Sequence, residues 1–581
     1  MQQQHFLPAS KGLITSAPAS LIPDGAFQEV NNVRFGDGYV EKVKGFVKFS
    51  TLQEKIIAIN LFTRTDGYNF NIIHTPTKVY SISEDDPDGS NLMPDTYEVP
   101  PVGFIDYVTF FDKYIFCSLG NNIYYWDGAE TKAVKLAGLF DPPEWVAGKA
   151  YIVGDICKPS SAKYTGYVYK CTQAGTSGSV EPTTWGTTLN ATTDDGTVKW
   201  IAEGGLEVEG TSATNVKANC VENFKGFVFL ANLEENGNLF PQRLRWSQFQ
   251  SMKLWHNNTD GSGMAGYVDC TDTPGIIQNI KKLNDYLYIY KDDGILALSY
   301  SGGDTVFSKD TVTTEAGLIA PRAIVELPHT HIFIGKNNIY SFDGTSVSAI
   351  GDEVKESFFD NLDPAKQRNV YGYYNQASGD VIFVYDSVIA HDIEPDKALT
   401  YNTKTKQWSM RDIYMTAIGE YSQFNNKRID DINIPFQEDH EIIDSAIYAK
   451  GKIITIAGDA EGNLYRLEGY RDSRGDYEGY VVSKVHHMET PEKIKRLLRV
   501  MFHIETQGKF NLKVQVGTAW NAETKMTWTE PLTMDLQSPK PPWVDVDLTA
   551  RYFAIRFGTT GNSEPFKILG YTLMYQTRSD E

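Results

Sequence analysis

Hydrophobic positions in this chain fall in short runs rich in β-branched and aromatic residues, and the runs come in pairs. The clearest pairs join Tyr114-Ile115-Phe116-Cys117 to Ile123-Tyr124-Tyr125-Trp126-Asp127-Gly128, and His331-Ile332-Phe333-Ile334 to Ile339-Tyr340-Ser341-Phe342-Asp343-Gly344. Both turns carry Asn-Asn, Asn121-Asn122 and Asn337-Asn338, and asparagine tolerates the left-handed backbone of a tight hairpin. Looser copies begin at Asn71, Phe227, Tyr286, Val381 and Ile453. Neighbouring copies start about 43 to 72 residues apart, outside one larger gap, near the ~40–50 residues of a four-stranded propeller blade. The pattern predicts an all-β chain built on a large β-propeller of seven or eight blades. Radial stacking explains how so many hairpins bury both faces; a series of hairpins spread over several sandwiches is the alternative. An eighth blade requires Val33-Arg34-Phe35 and Phe46-Val47-Lys48-Phe49 to pair with strands near the end of the series. Helical signal is scarce: Asp352 to Leu362 reads as one short connector, with Val354, Phe358 and Phe359 on one face and Asp363-Pro364 as its stop.

The larger gap, between Tyr114 and Phe227, holds residues 143–205, whose texture differs. Removing about 60 residues restores a normal blade spacing, so this reads as a small β module inserted in a loop, where added length costs little entropy. From about residue 478 the pattern changes again. Six strands follow, among them Phe510 to Val516 and Trp543 to Leu548 with the alternation of half-buried strands. They predict a β-sandwich or barrel-like domain. The expected organisation is 1–142 (N-terminal segment and first blades), 143–205 (inserted module), 206–477 (remaining blades) and 478–581 (C-terminal sandwich or platform domain).

Composition agrees with an all-β reading: 13% aromatic residues favour strands and 48 glycines favour turns. Net charge sharpens the function. With 54 Lys and Arg against 74 Asp and Glu, the chain carries −20, which argues against gripping nucleic acid over its whole surface. Cys117, Cys157, Cys171, Cys220 and Cys270 are odd in number and lack a CxxC pair, as in a protein folded in a reducing cytosol. Cys157 and Cys171 could meet across a hairpin, with two buried thiols the preferred reading. The N-terminus does not read as a signal peptide and no apolar run reaches the ~18 residues of a membrane span. The sequons at Asn190 and Asn257 are therefore read as chance matches.

The search for chemistry returns little: GxSxG, HExxH, Walker and dinucleotide-binding motifs are all missing. His486-His487 would point to opposite faces of a strand. His329 and His331 share a spacing but read as surface residues. Glu84-Asp85-Asp86-Pro87-Asp88-Gly89 lacks calcium-loop spacing, and Arg474-Gly475-Asp476 reads as a chance tripeptide. Thr193-Asp194-Asp195-Gly196 only approximates the Asp box of sialidase propellers. Lys493, Lys495, Arg496 and Arg499 form the densest basic run. It fits either channel or subunit-interface charge or a solvated strand entry, and it lacks interleaved aromatics for bases to stack on. No catalytic residue, cofactor or metal ligand is expected, and the chain is not read as an enzyme.

Three sets of residues carry a family resemblance. The order Glu144-Trp145, Tyr151, Tyr167-Val168-Tyr169-Lys170-Cys171, Trp185 and Lys199-Trp200 resembles small chitin-binding-type carbohydrate modules, including copies in phage virion proteins. There Trp145, Tyr169, Trp185 and Trp200 are the candidates for stacking on sugar rings, with a core role as the competing reading. Asn31-Asn32-Val33-Arg34-Phe35-Gly36-Asp37-Gly38 with Lys44-Gly45-Phe46, and Ala316-Gly317-Leu318-Ile319-Ala320-Pro321-Arg322-Ala323-Ile324-Val325, resemble the tail nozzle (tail tubular or tail hub) proteins of short-tailed phages. That resemblance implies a structural virion protein made in the host cytoplasm. It would be a homohexamer beneath an adaptor ring under the portal, with tail fibres or spikes outside and genomic DNA passing through without sequence recognition. The competing reading is a glycan-binding or glycan-cleaving propeller protein, on a spike or secreted.

Overall fold

The computed structural model describes residues 2–83, 86–94, 97–100, 103–210, 214–257, 263–303, 305–389, 395–423, 452–505, 511–522, 524–536 and 542–578. The chain divides into two compact units: one comprises 57–321 with 422–452, the other 1–56, 322–421 and 453–581. Among the described residues the structure is all-β apart from one α-helix, Lys355–Asn361, and two short 3₁₀ turns. No described helix is long and apolar enough to cross a membrane. All seven sequence-read hairpins are found, and each is the central pair of a four-stranded sheet, the blade of a β-propeller.

The first unit holds four blades. Their second strands are Asn69–His74, Lys113–Ser118, Phe227–Glu235 and Tyr286–Lys291. Apolar cores lie between successive blades. Phe62, Ile72, Tyr114 and Phe116 fill one, Ile115, Val108, Val221 and Val228 the next, and Phe229, Ile280 and Ile289 the third. Burial on both faces explains why these second strands read as unbroken apolar runs. The outer strands are short or half exposed, such as Phe307–Thr313, and left no such trace. The buried Asp106 ties three innermost strands together: its carboxylate accepts the Val221 N–H at 2.9 Å and faces the Lys281 ammonium at 3.6 Å.

The second unit holds three blades and a two-sheet sandwich. The last blade contains Ala417–Ser422, Ile453–Gly458 and Asn463–Leu467, and is completed by Phe46–Thr51 from the N-terminal region. The eighth-blade option is not realised among the described residues, since Phe46–Thr51 closes the seventh blade. Val33–Gly36 instead pairs with Tyr39–Lys42, which pairs with the C-terminal strand Lys567–Thr577. The described blades number seven. Gln2–Phe6 also lies along Lys567–Thr577, and Phe27–Asn31 along Gly479–Ser483. The N-terminal segment therefore builds the sandwich predicted for 478–581 rather than only leading into the first blades. Phe27 and Phe557 from one six-stranded sheet meet Phe35, Phe502 and Tyr571 from the other, with ring centroids 5.1–5.9 Å apart. Of the predicted strand Phe510 to Val516, Phe510 lies outside the described residues, and Asn511–Ala519 is a strand.

Local chemistry corrects two sequence readings. The Asn-Asn pairs do not take the left-handed backbone; Gly120 does so beside Asn121, at φ 79°. Asn121 acts through its side chain, donating to the Glu98 carbonyl at 2.7 Å and the Ser118 hydroxyl at 2.8 Å. The Asp-Gly that ends each clear hairpin has a shared role: Asp127 accepts the N–H groups of Ala129 and Glu130, and Asp343 those of Thr345 and Ser346. Within the connector helix, Phe358 is the buried residue and Phe359 is only half-buried, so the apolar face is narrower than its sequence suggests.

Candidate functional site: a groove beside the inserted module

The inserted residues fold as strands Ala150–Tyr151, Ile156–Cys157, Tyr167–Gln173, Gly175–Thr176, Thr192–Asp195 and Val198–Gly205, in a two-stranded and a four-stranded sheet. Their core is their own: Tyr151, Cys157, Tyr169, Cys171, Trp185, Val198 and Trp200. Cys157 and Cys171 are buried free thiols, as are the other three cysteines. Phe140 and Leu206, just outside the two ends, pack together, so the module leaves and rejoins the chain at one place.

Three of the four expected sugar-stacking residues are corrected by this core. Tyr169 and Trp200 are 0% exposed and Trp185 is 3% exposed, so none presents a ring face. The rings pack on one another, Tyr169 on Trp185 at 4.4 Å and Tyr151 on Trp200 at 4.8 Å. A module this small spends its aromatics on its core. Trp145 is half-buried against the same cluster. Its indole N–H donates to Asp195 Oδ2 at 2.7 Å, and that of Trp200 donates to the same oxygen at 2.9 Å. Asp195 Oδ1 accepts the Gly178 N–H at 2.8 Å. The aspartate of the near Asp box is thus a structural acceptor.

The exposed aromatics lie elsewhere, around a groove of about 730 Å³ between the module and the loop after strand Asn238–Trp246. Tyr164 and Phe249 flank it, 51% and 49% exposed, with Tyr167, Thr165, Glu207 and His256 also lining it. The Tyr164 hydroxyl donates to Glu207 Oε1 at 2.5 Å. Partial burial, and then the hydrogen bond to that carboxylate, push the phenol up from its ordinary value. The floor is fixed by side-chain amides. Gln248 donates to the His256 carbonyl at 2.9 Å and to Asn257 Oδ1 at 2.8 Å, while Glu209 accepts the Asn257 N–H at 2.7 Å. Gly226, at φ 84°, lets the Phe249 ring lie where a side chain would stand: a Cβ there would meet the ring at 2.7 Å. Two open aromatic faces, hydroxyls and one carboxylate on a rigid floor suit a neutral, hydroxyl-rich ring compound. Sequence reading missed this groove because Tyr164 and Phe249 stand in loops, outside any periodic pattern.

The basic run is divided in the structure. Lys493 is exposed. Lys495 is fully buried, and its ammonium donates to the carbonyls of His487 and Arg551, each at 2.9 Å. Burial pushes it down to about 8. Arg496 pairs in two-pronged fashion with Asp547, both contacts at 2.5 Å, and Arg499 pairs with Asp545 at 2.6 Å while lying 4.1 Å over the Trp543 ring. These aspartates stand on the adjacent antiparallel strand Trp543–Ala550. Three of the four charges are held locally: burial corrects the channel-or-interface expectation for Lys495, while Arg496 and Arg499 are partly exposed but paired within the sheet.

The remaining sequence candidates are structural as well. His486 is buried and bonded to the Tyr571 hydroxyl at 2.9 Å. His331 is 1% exposed in strand Thr330–Ile334, which overturns its surface reading, while His329 is exposed outside that strand. Arg474, Gly475 and Asp476 are exposed, and the Arg474 guanidinium is bound to Asp472 at 2.8 and 3.0 Å. In the acidic turn, Asp86 accepts the Gly89 N–H, and Glu84 and Asp85 lie outside the described residues. Among the described residues no group of three His, Cys, Asp or Glu side chains could hold a metal ion.

No family model and no curated protein matches the chain. Solved structures with partial likeness include the Neurospora crassa Pan2 WD40 domain, at TM-score 0.32 and 8% identity over 74% of this chain and 96% of that one. Apo AztD from Citrobacter koseri reaches 0.30 and 10% over 63% and 96%, and an ancestral GH74 enzyme 0.26 and 8% over 78% and 76%. Overlaps this loose carry nothing about chemistry or partners; the blade architecture rests on the sheets themselves.

Proposed function

We propose that this chain is the tail nozzle subunit of a short-tailed phage, a structural virion protein that assembles as a homohexamer around a DNA channel. The adaptor ring and the tail fibres or spikes are its protein partners, and it catalyses no reaction and carries no cofactor. The observation that most supports this reading is the order of parts: blades interrupted by an independent module, then a sandwich into which the N-terminal strands are woven. It stands beside the resemblance carried by Asn31–Phe46 and Ala316–Val325. The net charge of −20 fits a conduit, because each phosphate neutralised by a free cation would hold the DNA in place. Electron microscopy of the purified protein and of assembled tails tests it. A six-fold ring with an axial channel is expected; a stable monomer that hydrolyses polysaccharide would overturn it.

A second reading, glycan binding, is favoured by the groove flanked by Tyr164 and Phe249. Titration with neutral oligosaccharides should then show tryptophan-independent binding that Phe249→Ala removes. Binding unaffected by that change would place sugar recognition elsewhere.

A further inference from the structure

Six lysines and arginines are buried among the described residues: Lys42, Arg243, Arg245, Lys291, Arg411 and Lys495. Five have partners. Lys42, Lys291 and Lys495 donate to carbonyl or hydroxyl oxygens at 2.6–3.2 Å. Arg243 and Arg245 share the Glu235 carboxylate. Arg411 is the exception. It is 6% exposed, and among the described residues its guanidinium makes no hydrogen bond or ion pair; Nε is enclosed without an acceptor. Its contact is the Phe46 ring, 5.0 Å from Cζ. A buried charge left unpaired costs several kcal/mol, an expense a structural arginine avoids.

Arg411 lines a pocket of about 240 Å³ in the unit that carries the sandwich. The acids around that pocket are engaged with other groups. Asp412 is held by Lys397 at 2.6 Å and Asn31 at 2.5 Å, Asp472 by Arg474, and Glu478 by Arg556 at 3.0 Å. Asp476 accepts the Asn562 N–H at 2.9 Å. Arg474 stands near the same Phe46 ring, 5.1 Å away, and adds repulsion, while Tyr477, Asp472 and Asp380 offer attraction at a distance without a hydrogen bond or ion pair to Arg411. At the rim, exposed Lys44 brings a second cation with no ion pair among the described residues.

We propose that this pocket binds one oxyanion group, a phosphate or a carboxylate, with Arg411 at its base and Lys44 at its rim. The planar guanidinium offers two parallel N–H donors, the geometry that recognises such groups. The N-terminal signature builds the site. Asn32, at φ 51°, accepts the Asp412 N–H and donates to the Glu478 carbonyl. Gly45 has no room for a side chain, since a Cβ would meet the Arg471 carbonyl at 2.2 Å. Asn32, Lys44 and Phe46 of that motif thus gather around one pocket.

The test is calorimetric titration of the full chain with inorganic phosphate and with acetate at fixed ionic strength, beside R411M and K44Q. The proposal expects binding of at least one anion, weakened about tenfold or more in R411M and less in K44Q, as loss of a charge-assisted pair predicts. R411M keeps the stem that packs on Phe46; should it not fold, K44Q decides alone, because Lys44 is exposed. Sedimentation in the same buffers separates the sources. Assemblies that dissociate in phosphate and in R411M identify the oxyanion as a carboxylate from a second copy, and an unchanged state identifies a free anion. Anion binding missing from the unaltered chain together with unchanged sedimentation, or binding equal in all three proteins, overturns the proposal.

Discussion

Replacing Asp195 with alanine should destabilise the inserted module and leave the rest of the protein folded. One carboxylate, 3% exposed, accepts three N–H groups: the indoles of Trp145 and Trp200 through Oδ2 and the Gly178 amide through Oδ1. Trp200 is fully buried, so water cannot take over its bond; Trp145 is half-buried and its bond is partly replaceable. A buried donor left without its acceptor costs about 1–3 kcal/mol. With Trp200 alone at full cost, the half-buried Gly178 amide partly replaceable like Trp145, and relief from removing a buried carboxylate set against them, the loss is about 2–3 kcal/mol. A core of about 60 residues rarely supplies more than ~3–5 kcal/mol. The substitution therefore removes about half or more of the module's stability. Urea unfolding followed by tryptophan fluorescence reads it directly, since Trp145, Trp185 and Trp200 all report on this core. Limited proteolysis should cut D195A within 143–205 while the blades persist. Asp194 is the control: its side chain is 83% exposed, and D194A should stay within about 0.5 kcal/mol of the unaltered protein. D195A and D194A melting together would refute the idea that one aspartate holds the module.

Three further outcomes follow from the same structure. Glu235→Gln should destabilise the blade carrying strand Asn238–Trp246 by about 3 kcal/mol in chemical denaturation, because it strands the buried Arg245 charge, while Arg243 keeps its two-pronged pair with Asp269; a loss under 1 kcal/mol would contradict this. Deleting residues 143–205 should leave a cooperative melt, lowered by about 1–2 kcal/mol as the Tyr125 hydroxyl and Lys253 lose the Glu203 carboxylate; loss of cooperativity would show the module to be part of the main core. Burial holds the His74 and His486 imidazoles down at about 3. The unfolded chain therefore takes up protons first, below about 6.5. Their contribution is complete above that pH and is lost as pH falls towards 3, at up to about 1.4 kcal/mol per pH unit for each histidine. Urea midpoints at pH 7, 6 and 5 should fall, and fall less steeply in His486→Gln; an identical slope in that variant would remove His486 from the account.

Much of the fold is legible in the chain because blades bury their second strands on both faces. Lys113–Ser118 and Asp380–Tyr385 are almost wholly buried, so burial wrote continuous apolar runs at these places. Edge strands such as Val347–Ala349 are exposed on most of their length and left no periodic mark. The role of the N-terminal strands was half legible for a different reason. Val33–Gly36 and Phe46–Thr51 have the same texture, yet one joins the sandwich and the other the last blade. Partner choice across hundreds of residues is a tertiary outcome that local alternation does not encode.

The same limit governs the aromatic residues of the module. Tyr164 and Tyr169 stand five positions apart and are chemically identical. Tyr169 lies inside strand Tyr167–Gln173, opposite Ala202, and its pairing turns the ring into the core, where its hydroxyl bonds the Gly186 carbonyl at 2.6 Å. Tyr164 follows the 3₁₀ turn Ser161–Lys163, outside the sheet, and its hydroxyl reaches Glu207 on the groove wall. Residue type says that a ring can stack on a ligand; the strand register decides which ring is free to do so. The module's core consumed the tryptophans that composition singles out, and its loops left a tyrosine at the surface. A search for ligand contacts in such modules should therefore start from the aromatics that the strands do not claim.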